Sequence, residues 1–336
     1  MSEAVAYKKK DFVSSQEVRW CPGCGDYAIL SSIQTAMTKI GKRREDIVCV
    51  SGIGCSSRFP YYVNSYGMHT IHGRAPGIAS GVKIHNPDLS VWVLTGDGDG
   101  LSIGGNHLIH ALRRNISMNI VLFNNEIYGL TKGQYSPTSK QGIITKSSPD
   151  GSVDRAFVPG SLALGAGATF FARTMDTDPK HIQDVMIEAH EHQGTSLVEV
   201  FQNCIIFNDG AHKIYTDRAT RDDYSLKLVH GEPMIFGKDR NKGLILNHFH
   251  PVVVTIGENG VTEKNILVHD KHDYNLASML TRLKAPEYPV PVGVFYQERA
   301  AVYCQQVCAQ IKDLKAKRGE GDMQALLNSG DTWEVE

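Results

Sequence analysis

The sequence predicts an α/β fold: a doubly wound, mostly parallel sheet with helices on both faces. Two observations predict this fold class. Short apolar runs, typical of strands buried on both faces, alternate along the chain with segments whose apolar residues recur at helical spacing. Such regular alternation is characteristic of βαβ units, in which a helix crosses between two parallel strands.

The first unit is a helix followed by a strand. The helix begins at Asp26, whose side chain is expected to cap it, and ends at Gly41. The run from Ile47 to Val50 is rich in β-branched residues and stops at the glycine turn 52–54, as expected for a buried strand. The same alternation predicts helices near 76–84, 103–112 and 179–190, and strands near 91–94, 118–123, 168–171 and 197–201.

Two segments depart from this alternation. Residues 124–159 are rich in Gly, Ser, Thr, Lys and Pro, which predicts a long functional or mobile loop. After residue 208 the chain is more polar, with apolar runs at 243–246 and 252–256 and helices predicted near 276–283 and 299–315. The predicted organisation is an N-terminal arm (1–25), an α/β domain (26–208) and an extension (209–336) packed on that domain and on a partner subunit.

Composition excludes several classes of partner. The formal net charge of −1 provides no basic field to attract nucleic acid or an anionic membrane surface. Seven cysteines, an odd number in a chain that shows no export signal, argue against a disulfide framework. We therefore expect a soluble, cytoplasmic protein with reduced thiols.

Polar residues and glycines follow two neighbouring strands, in SVWVLTGDGDGLSIGG and SMNIVLFNNEIYGL. Because the intervening helix makes these strands parallel, Asp97 and Asn125 should emerge together at one edge of the sheet. Glycines at that edge allow backbone amides to approach a phosphate, and carboxylate and amide oxygens suit Mg²⁺. The sequence predicts a diphosphate held through Mg²⁺.

Four cysteines are expected at the same edge. Cys21 and Cys24 lie in WCPGCG, Cys55 follows the first strand, and Cys204 follows the strand at 197–201. Four thiolates fit either structural zinc or a [4Fe–4S] cluster, and their spacing leaves both open. A position beside an electron-rich cofactor favours the redox cluster. The other cysteines are predicted to be packing residues: Cys49, Cys304 and Cys308.

Taken together, WCPGCG, GIGCSS, HGRAPG, GDGDG, FNNEIYGLTKGQ and the late Cys204 resemble the β subunit of the 2-oxoacid:ferredoxin oxidoreductases, and the 2-oxoglutarate branch most of all. The likeness spans roughly residues 18–215. It implies that Cys21, Cys24, Cys55 and Cys204 bind one [4Fe–4S] cluster. It also implies that Asp97, Asn125 and the Ile127 carbonyl hold the Mg²⁺ of thiamine diphosphate. Further thiamine diphosphate contacts implied by the resemblance are Ile53, Gly54, Cys55, Ser56, His72, Gly96, Gly98, Asp99, Gly129 and Leu130.

Two residues are candidates for catalytic roles. Lys132 matches a loop lysine placed near the substrate in this family, and its alternative is a solvated loop lysine. His72 is implied as a cofactor contact with a catalytic role, and its alternative is a core histidine bonded to backbone.

The resemblance implies coenzyme A-dependent oxidative decarboxylation of 2-oxoglutarate, or the reverse reductive carboxylation, with electrons passing through the cluster to ferredoxin. It also implies an α subunit that carries the activating glutamate, in an α2β2 assembly. Alternatives are a pyruvate or broad-range 2-oxoacid enzyme, a cluster-free thiamine decarboxylase or synthase, and a noncatalytic iron–sulfur or zinc scaffold. A nicotinamide dehydrogenase is disfavoured, because Ser57 replaces the third glycine of the fingerprint and Arg74 stands where an acid is expected.

Overall fold

An eight-stranded sheet forms the centre of the molecule. The computed structural model describes residues 6–335, so residues 1–5 of the predicted arm and residue 336 of the extension lie outside the described residues. Within this range the strands are β1 (Ile47–Ser51), β2 (Tyr66–His69), β3 (Ser90–Gly96), β4 (Met118–Asn124), β5 (Phe170–Met175), β6 (Thr195–Phe201), β7 (Ser225–Lys227), β8 (Ile235–Phe236), β9 (Lys242–Asn247), β10 (His250–Thr255) and β11 (Val290–Gln297).

The strand order of the main sheet is β2-β1-β3-β4-β6-β5-β11-β7. The first six strands in this order are parallel to one another. Strand β11 runs antiparallel to β5, and β7 runs parallel to β11. The predicted α/β fold with a mostly parallel sheet is confirmed.

Helices cover both faces of this sheet. They are α1 (Asp26–Met37), α2 (Phe59–Tyr62), α3 (Ala75–His85), α4 (Asp97–Leu101), α5 (Gly105–Arg114), α6 (Pro159–Gly165), α7 (Pro179–Glu191), α8 (Lys213–Thr216), α9 (Arg221–Tyr224), α10 (Tyr274–Leu280), α11 (Tyr303–Arg318) and α12 (Met323–Leu327). Within the described chain, no helix is both long and apolar enough to cross a membrane.

The sheet separates two hydrophobic cores. Alternate strand residues point to opposite faces, so Val91 and Val93 join the core that contains α3, α5, α6 and α10, whereas Trp92 and Leu94 join the core that contains α1 and α7. Every residue of β1, β4, β5 and β6 is buried. These strands are recognisable in the sequence because both of their faces must be apolar.

The structure corrects several expectations about the elements. Gly25, not Asp26, is the N-cap residue of α1, and the helix ends at Met37, before Gly41. The segment DGDGL forms the short helix α4, for which sequence analysis predicted no secondary structure. Strands β2, β7, β8 and β11 were not predicted. Among the cysteines assigned to packing, Cys308 is exposed on α11, whereas the other two, Cys49 and Cys304, are buried as expected.

The C-terminal extension contributes to the main sheet as well as covering it. Its strands β7 and β11 complete one end of that sheet, and β8, β9 and β10 form a separate antiparallel sheet in the order β10-β9-β8. Leu226, Met234 and Leu244 from this region are buried in the same core as α3 and α5. The boundary at residue 208 stays a prediction, but the residues on its two sides share one core.

Candidate active site

The carboxyl ends of β1, β3, β4 and β6 meet at one rim of the sheet. In register, Ser51 of β1 pairs with Leu94 of β3, and Gly96 of β3 pairs with Phe123 of β4. Strand β4 ends beside β6, where Asn124 pairs with Phe201. The polar residues that follow these strands therefore leave the sheet side by side, as the parallel arrangement predicts.

One cavity on this rim, called here the thiamine cavity, is lined by all the residues that sequence analysis assigned to thiamine diphosphate and Mg²⁺. They are Ile53, Gly54, Cys55, Ser56, His72, Gly96, Asp97, Gly98, Asp99, Asn125, Ile127, Gly129 and Leu130. Four further residues line it that sequence analysis did not assign: Asp26, Phe123, Tyr128 and Thr131. The individual roles of all these residues stay predictions.

Asp97 is a buried carboxylate at the start of α4, with only 2% of its surface exposed. Its Oδ2 atom accepts hydrogen bonds of 2.6 Å from the hydroxyls of Ser136 and Thr138. Burial raises the pKa of Asp97 to about 6, although these hydrogen bonds act in the opposite direction. The two donors are neutral hydroxyls, so they do not neutralise the negative charge of the ionised carboxylate. A bound cation would supply the balancing positive charge.

Asn125 is held in place by the turn that follows β4. Its Oδ1 atom accepts a 3.1 Å hydrogen bond from the Ile127 amide, and its Nδ2 atom donates to Gln202 at 2.8 Å. Glu126, between Asn125 and Ile127, adopts a φ of 55°, a left-handed conformation that is uncommon outside glycine. This turn directs the backbone of Ile127 back toward the Asn125 side chain.

Asp99 accepts hydrogen bonds from three segments of the cavity wall and so holds them next to one another. Its Oδ1 atom accepts from the amides of Ile53 (3.0 Å) and Gly73 (2.7 Å), and its Oδ2 atom accepts from the Thr95 hydroxyl (2.6 Å). A Cβ atom on Gly52 would overlap the carboxylate. Since both Asp99 oxygens are engaged within the protein, this side chain positions the wall of the cavity.

His72 is anchored by the same carboxylate. Its Nδ1 atom lies 2.7 Å from Asp99 Oδ1, and its side chain is 38% exposed. An ionised carboxylate can only accept, so Nδ1 carries the hydrogen and a neutral ring keeps a lone pair on Nε2. The structure therefore does not show the core histidine bonded to backbone that sequence analysis left open.

Tyr128 packs against the glycines of GDGDG. Its hydroxyl donates a 2.9 Å hydrogen bond to the carbonyl oxygen of Gly98, and a Cβ atom on Gly98 would overlap its ring. Sequence analysis missed this residue, because an aromatic residue in a loop carries no signal of a partner 30 residues earlier.

The four predicted cluster ligands line a second, adjoining cavity of about 200 Å³, called here the cysteine cavity. Cys55, Gly129 and Leu130 line both cavities. A Cβ atom on Gly129 would lie 3.4 Å from the Cys204 sulfur and 3.6 Å from the Cys55 sulfur, so this glycine packs directly against two of the thiols. The structure brings Cys21, Cys24, Cys55 and Cys204 together around one space.

The spacing of these sulfurs distinguishes between a single ion and a larger group. Tetrahedral zinc with Zn–S bonds of about 2.3 Å holds its sulfurs about 3.8 Å apart. In residues 6–335, no three of these cysteines place their sulfurs within 4.8 Å of one another. The cavity therefore fits a bulkier group between the thiols better than one zinc ion.

Burial of the thiols disfavours free thiolates. Burial raises the pKa of Cys55 to about 12, and burial also raises the pKa values of Cys24 and Cys204. Gln202 Nε2 donates to the Cys24 sulfur at 3.2 Å. Because burial disfavours the thiolate form, a metal bound here would have to displace the thiol protons.

Asp26 lies next to both cavities. It lines the thiamine cavity, it is fully buried, and neither of its carboxylate oxygens has a hydrogen-bond partner in the described part of the chain. Burial raises its pKa to about 7. Sequence analysis assigned this residue only to helix capping, because nothing in the local sequence indicates that its side chain turns toward the rim.

Lys132 lines the cysteine cavity and not the thiamine cavity. It is exposed, and its φ of 76° places it in the left-handed region. Two arginines that sequence analysis did not single out, Arg19 and Arg58, line the same cavity. The positive charge beside the thiols therefore comes from three residues.

A parallel sheet with a carboxylate–amide pair and glycine turns at its rim defines the class of thiamine-diphosphate-binding α/β domains. Residues 52–200 match the family model described as "Thiamine pyrophosphate enzyme, C-terminal TPP binding domain". The chain is 49% identical over 334 residues to 2-oxoglutarate oxidoreductase subunit KorB of Mycobacterium tuberculosis, covering 98% of this chain and 89% of that one. It is 44% identical over 201 residues to the 2-oxoacid:ferredoxin oxidoreductase subunit beta of Saccharolobus solfataricus, covering 59% of this chain and 66% of that one.

The chain belongs to the family of 2-oxoacid:ferredoxin oxidoreductase β subunits, and the predicted resemblance is confirmed. A solved structure is similar over nearly the whole chain: a 2-oxoglutarate:ferredoxin oxidoreductase from Magnetococcus marinus with 2-oxoglutarate, coenzyme A and succinyl-CoA bound. It is 33% identical, with a TM-score of 0.77 and coverage of 98% of both chains.

Proposed function

We propose that this chain is the cofactor-binding subunit of a 2-oxoglutarate:ferredoxin oxidoreductase. It would bind thiamine diphosphate with Mg²⁺ and one [4Fe–4S] cluster, and catalyse the coenzyme A-dependent oxidative decarboxylation of 2-oxoglutarate or its reversal. The observation that carries the proposal is the shared wall of the two cavities, which Cys55, Gly129 and Leu130 line on both sides. The names of the Mycobacterium tuberculosis relative and of the Magnetococcus marinus structure support 2-oxoglutarate as the substrate.

In the thiamine cavity, Asp97, Asn125 and the Ile127 carbonyl would hold Mg²⁺, and the glycine turns would contact the diphosphate. Bound thiamine diphosphate would supply the carbanion and electron sink for decarboxylation, and the cluster would accept electrons one at a time. His72 would present Nε2 to the cofactor, because Asp99 fixes its Nδ1 atom. Lys132, Arg19 and Arg58 would provide positive charge at the neighbouring cavity.

Buried polar groups surround the proposed metal ligand. The Thr138 hydroxyl donates its one hydrogen to Asp97 Oδ2 at 2.6 Å, and its oxygen lies 2.9 Å from Asn124 Oδ1. Asn124 Nδ2 in turn donates to Glu199 at 2.7 Å, and Arg173 Nε donates to the other Glu199 oxygen at 2.7 Å. The hydrogen bonds from Ser136 and Thr138 fix the direction of the Asp97 carboxylate before any ion binds.

Two features support a partner subunit that completes the site. No glutamate is among the residues that line the thiamine cavity in the described chain, so the glutamate that activates thiamine would come from another subunit. Exposed apolar side chains flank His72, including Ile71 (72% exposed) and Ile103 (56% exposed). A surface of this kind next to a ligand site is typical of a protein interface.

The proposal is tested by purifying the chain anaerobically with its co-purifying partner. We expect about four irons and four acid-labile sulfides per chain, together with thiamine diphosphate. The preparation should reduce a viologen dye only with both 2-oxoglutarate and coenzyme A. A comparison with pyruvate tests the broader substrate range. Zinc without thiamine would contradict the proposal.

A further inference from the structure

Two histidines and an aspartate form a cluster in the C-terminal extension, and none of them lines either cavity on the rim. His230, Asp270 and His272 each offer one ligand atom, and these atoms all lie within 4.8 Å of one another. Across residues 6–335 this is the only group of three or more His, Cys, Asp or Glu side chains that meets this spacing. We propose that this His-Asp-His cluster binds a divalent transition-metal ion such as Zn²⁺.

Backbone hydrogen bonds hold the two segments that carry these side chains. The Gly231 amide donates to the His269 carbonyl at 2.8 Å, and the His269 amide donates to the Glu232 carbonyl at 2.9 Å. An antiparallel bridge between Pro233 and Val268 continues this pairing. The ligands therefore lie on a paired ribbon, and their backbones are in place before a metal arrives.

His272 makes a hydrogen bond that is common among metal-binding histidines. Its Nδ1 atom lies 2.6 Å from the carbonyl oxygen of Gln297, which can only accept, so Nδ1 carries the hydrogen and a neutral ring has its lone pair on Nε2. Metal-binding histidines commonly donate their second nitrogen to a carbonyl in this way. Gln297 also donates its amide to the Lys271 carbonyl at 2.7 Å, which links the cluster to the end of β11.

The other two side chains face each other across a gap that suits a cation. The Nδ1 atom of His230 accepts the Lys271 amide hydrogen at 3.3 Å, so in the neutral ring it carries a lone pair, and an ion bound there would replace this long hydrogen bond. That atom lies 3.5 Å from Asp270 Oδ1, which accepts the His272 amide hydrogen. Two electron-rich atoms thus lie close together. Their separation is near the roughly 3.3 Å between ligands in a tetrahedral site with metal bonds of about 2.0 Å.

The donor set selects the class of ion. Two imidazole nitrogens and one carboxylate suit Zn²⁺ and its neighbours, whereas Mg²⁺ and Ca²⁺ prefer oxygen ligands alone. The side chains of His230 and Asp270 are about half exposed, which leaves space for water as a fourth ligand. A bound ion would link the segment that follows β7 to the segment that precedes α10.

The test measures zinc binding to the complete enzyme, with its cluster, cofactor and partner in place. Equilibrium dialysis against micromolar Zn²⁺ in excess Mg²⁺ is followed by elemental analysis of the native protein, His272→Ala and Asp270→Asn. Asparagine retains the oxygen that accepts the His272 amide hydrogen, so Asp270→Asn should fold even if the other variant does not. His250→Ala, which removes an exposed histidine on β10, is the matched control.

We expect one additional zinc per chain in the native protein and in His250→Ala, and an affinity at least about tenfold weaker in both cluster variants. X-ray absorption at the zinc edge should show only nitrogen and oxygen neighbours at about 2.0 Å. Unchanged zinc affinity in the cluster variants, or sulfur neighbours at about 2.3 Å, would overturn the proposal. Because the readout is metal content and coordination, the result does not depend on which 2-oxoacid the enzyme uses.

Discussion

The two cavities on the rim are built in different ways. In the thiamine cavity, buried hydrogen bonds from Ser136, Thr138 and Thr95 already fix the carboxylates of Asp97 and Asp99. In the cysteine cavity, the thiols come from three separate segments and are not joined by disulfides. The comparison indicates that hydrogen bonds within the protein shape the thiamine cavity, whereas no covalent bond joins the cysteines of the cysteine cavity to one another.

The largest expected effect comes from Asp97→Ala. This change removes the only carboxylate among the proposed magnesium ligands, so we expect thiamine diphosphate affinity and activity to fall by more than about 100-fold. Iron and sulfide content should stay at the native level. Cofactor binding is measured by quenching of intrinsic fluorescence, with Asp88→Ala, which changes an exposed aspartate, as the control. Loss of iron in parallel with thiamine would show that the two cavities are not independent.

The reciprocal change is Cys204→Ala. It removes one of four proposed cluster ligands, so the chain should lose iron, sulfide and viologen reduction while it still binds Mg²⁺ and thiamine diphosphate. Iron analysis and cofactor titration of the same preparation measure both properties. Cys308→Ala is the matched control, because Cys308 is exposed on α11. Full viologen-reducing activity in Cys204→Ala would refute the assignment of this cysteine.

A smaller effect is expected from Asp99→Ala. The substitution leaves the part-buried amide of Ile53 and the buried amide of Gly73 without their acceptor, which should lower the free energy of unfolding by about 1–3 kcal/mol. Thiamine diphosphate affinity should fall while kcat at saturating cofactor changes less, as expected for a positioning residue. Asp99→Asn keeps an acceptor oxygen and should restore most of the stability in a denaturant titration. If both variants lost the same free energy of unfolding, the negative charge of Asp99, and not its hydrogen bonding, would be its main contribution to stability.

The smallest expected effect is a pH dependence of stability and of Mg²⁺ affinity that arises from Asp97 in the thiamine cavity. Burial raises the pKa of Asp97 from 3.8 to about 6, so folding favours its protonated form. Without Mg²⁺, this residue contributes stability that is complete below about pH 4 and is lost as pH rises through about 6. Because Mg²⁺ needs the ionised form, its affinity should weaken by about tenfold per pH unit below pH 6.

Thermal unfolding of the magnesium-free chain at pH 5 and pH 7.5 measures this contribution, with Asp97→Asn as the comparison. The melting temperature should change less between these two pH values in Asp97→Asn than in the native chain. The Cys55 thiol, whose pKa burial raises to about 12, should not contribute in this range. An identical pH dependence in both proteins would assign the effect to another group.

Sequence reasoning succeeded where burial leaves a local pattern. The run MNIVLFN of β4 is apolar because both faces of a central parallel strand are covered, and the polar residues after it mark the rim. It failed where the pattern depends on distant partners. All four residues of β2 are exposed, and β11 contains Pro291 and Gly293, so neither reads as a buried strand.

The same distinction applies to the candidate site. The motifs and their spacing predicted the four cysteines and most of the residues that line the thiamine cavity. It did not reveal Ser136, Thr138 or Tyr128, because their importance comes from bonds that span roughly 30 to 40 residues. Nor did it reveal the orientation of Asp26, because the complete burial of this side chain is a property of the folded core.

The position of β11 limits how far this chain can be shortened. Strand β11 covers the edge of β5, all of whose residues are buried. Ending the chain at residue 208 would leave the backbone amides and carbonyls on that side of β5 unpaired and exposed. Such an edge recruits strands from other molecules. A truncated version is therefore expected to form insoluble aggregates, although it would retain every residue assigned to the two cavities.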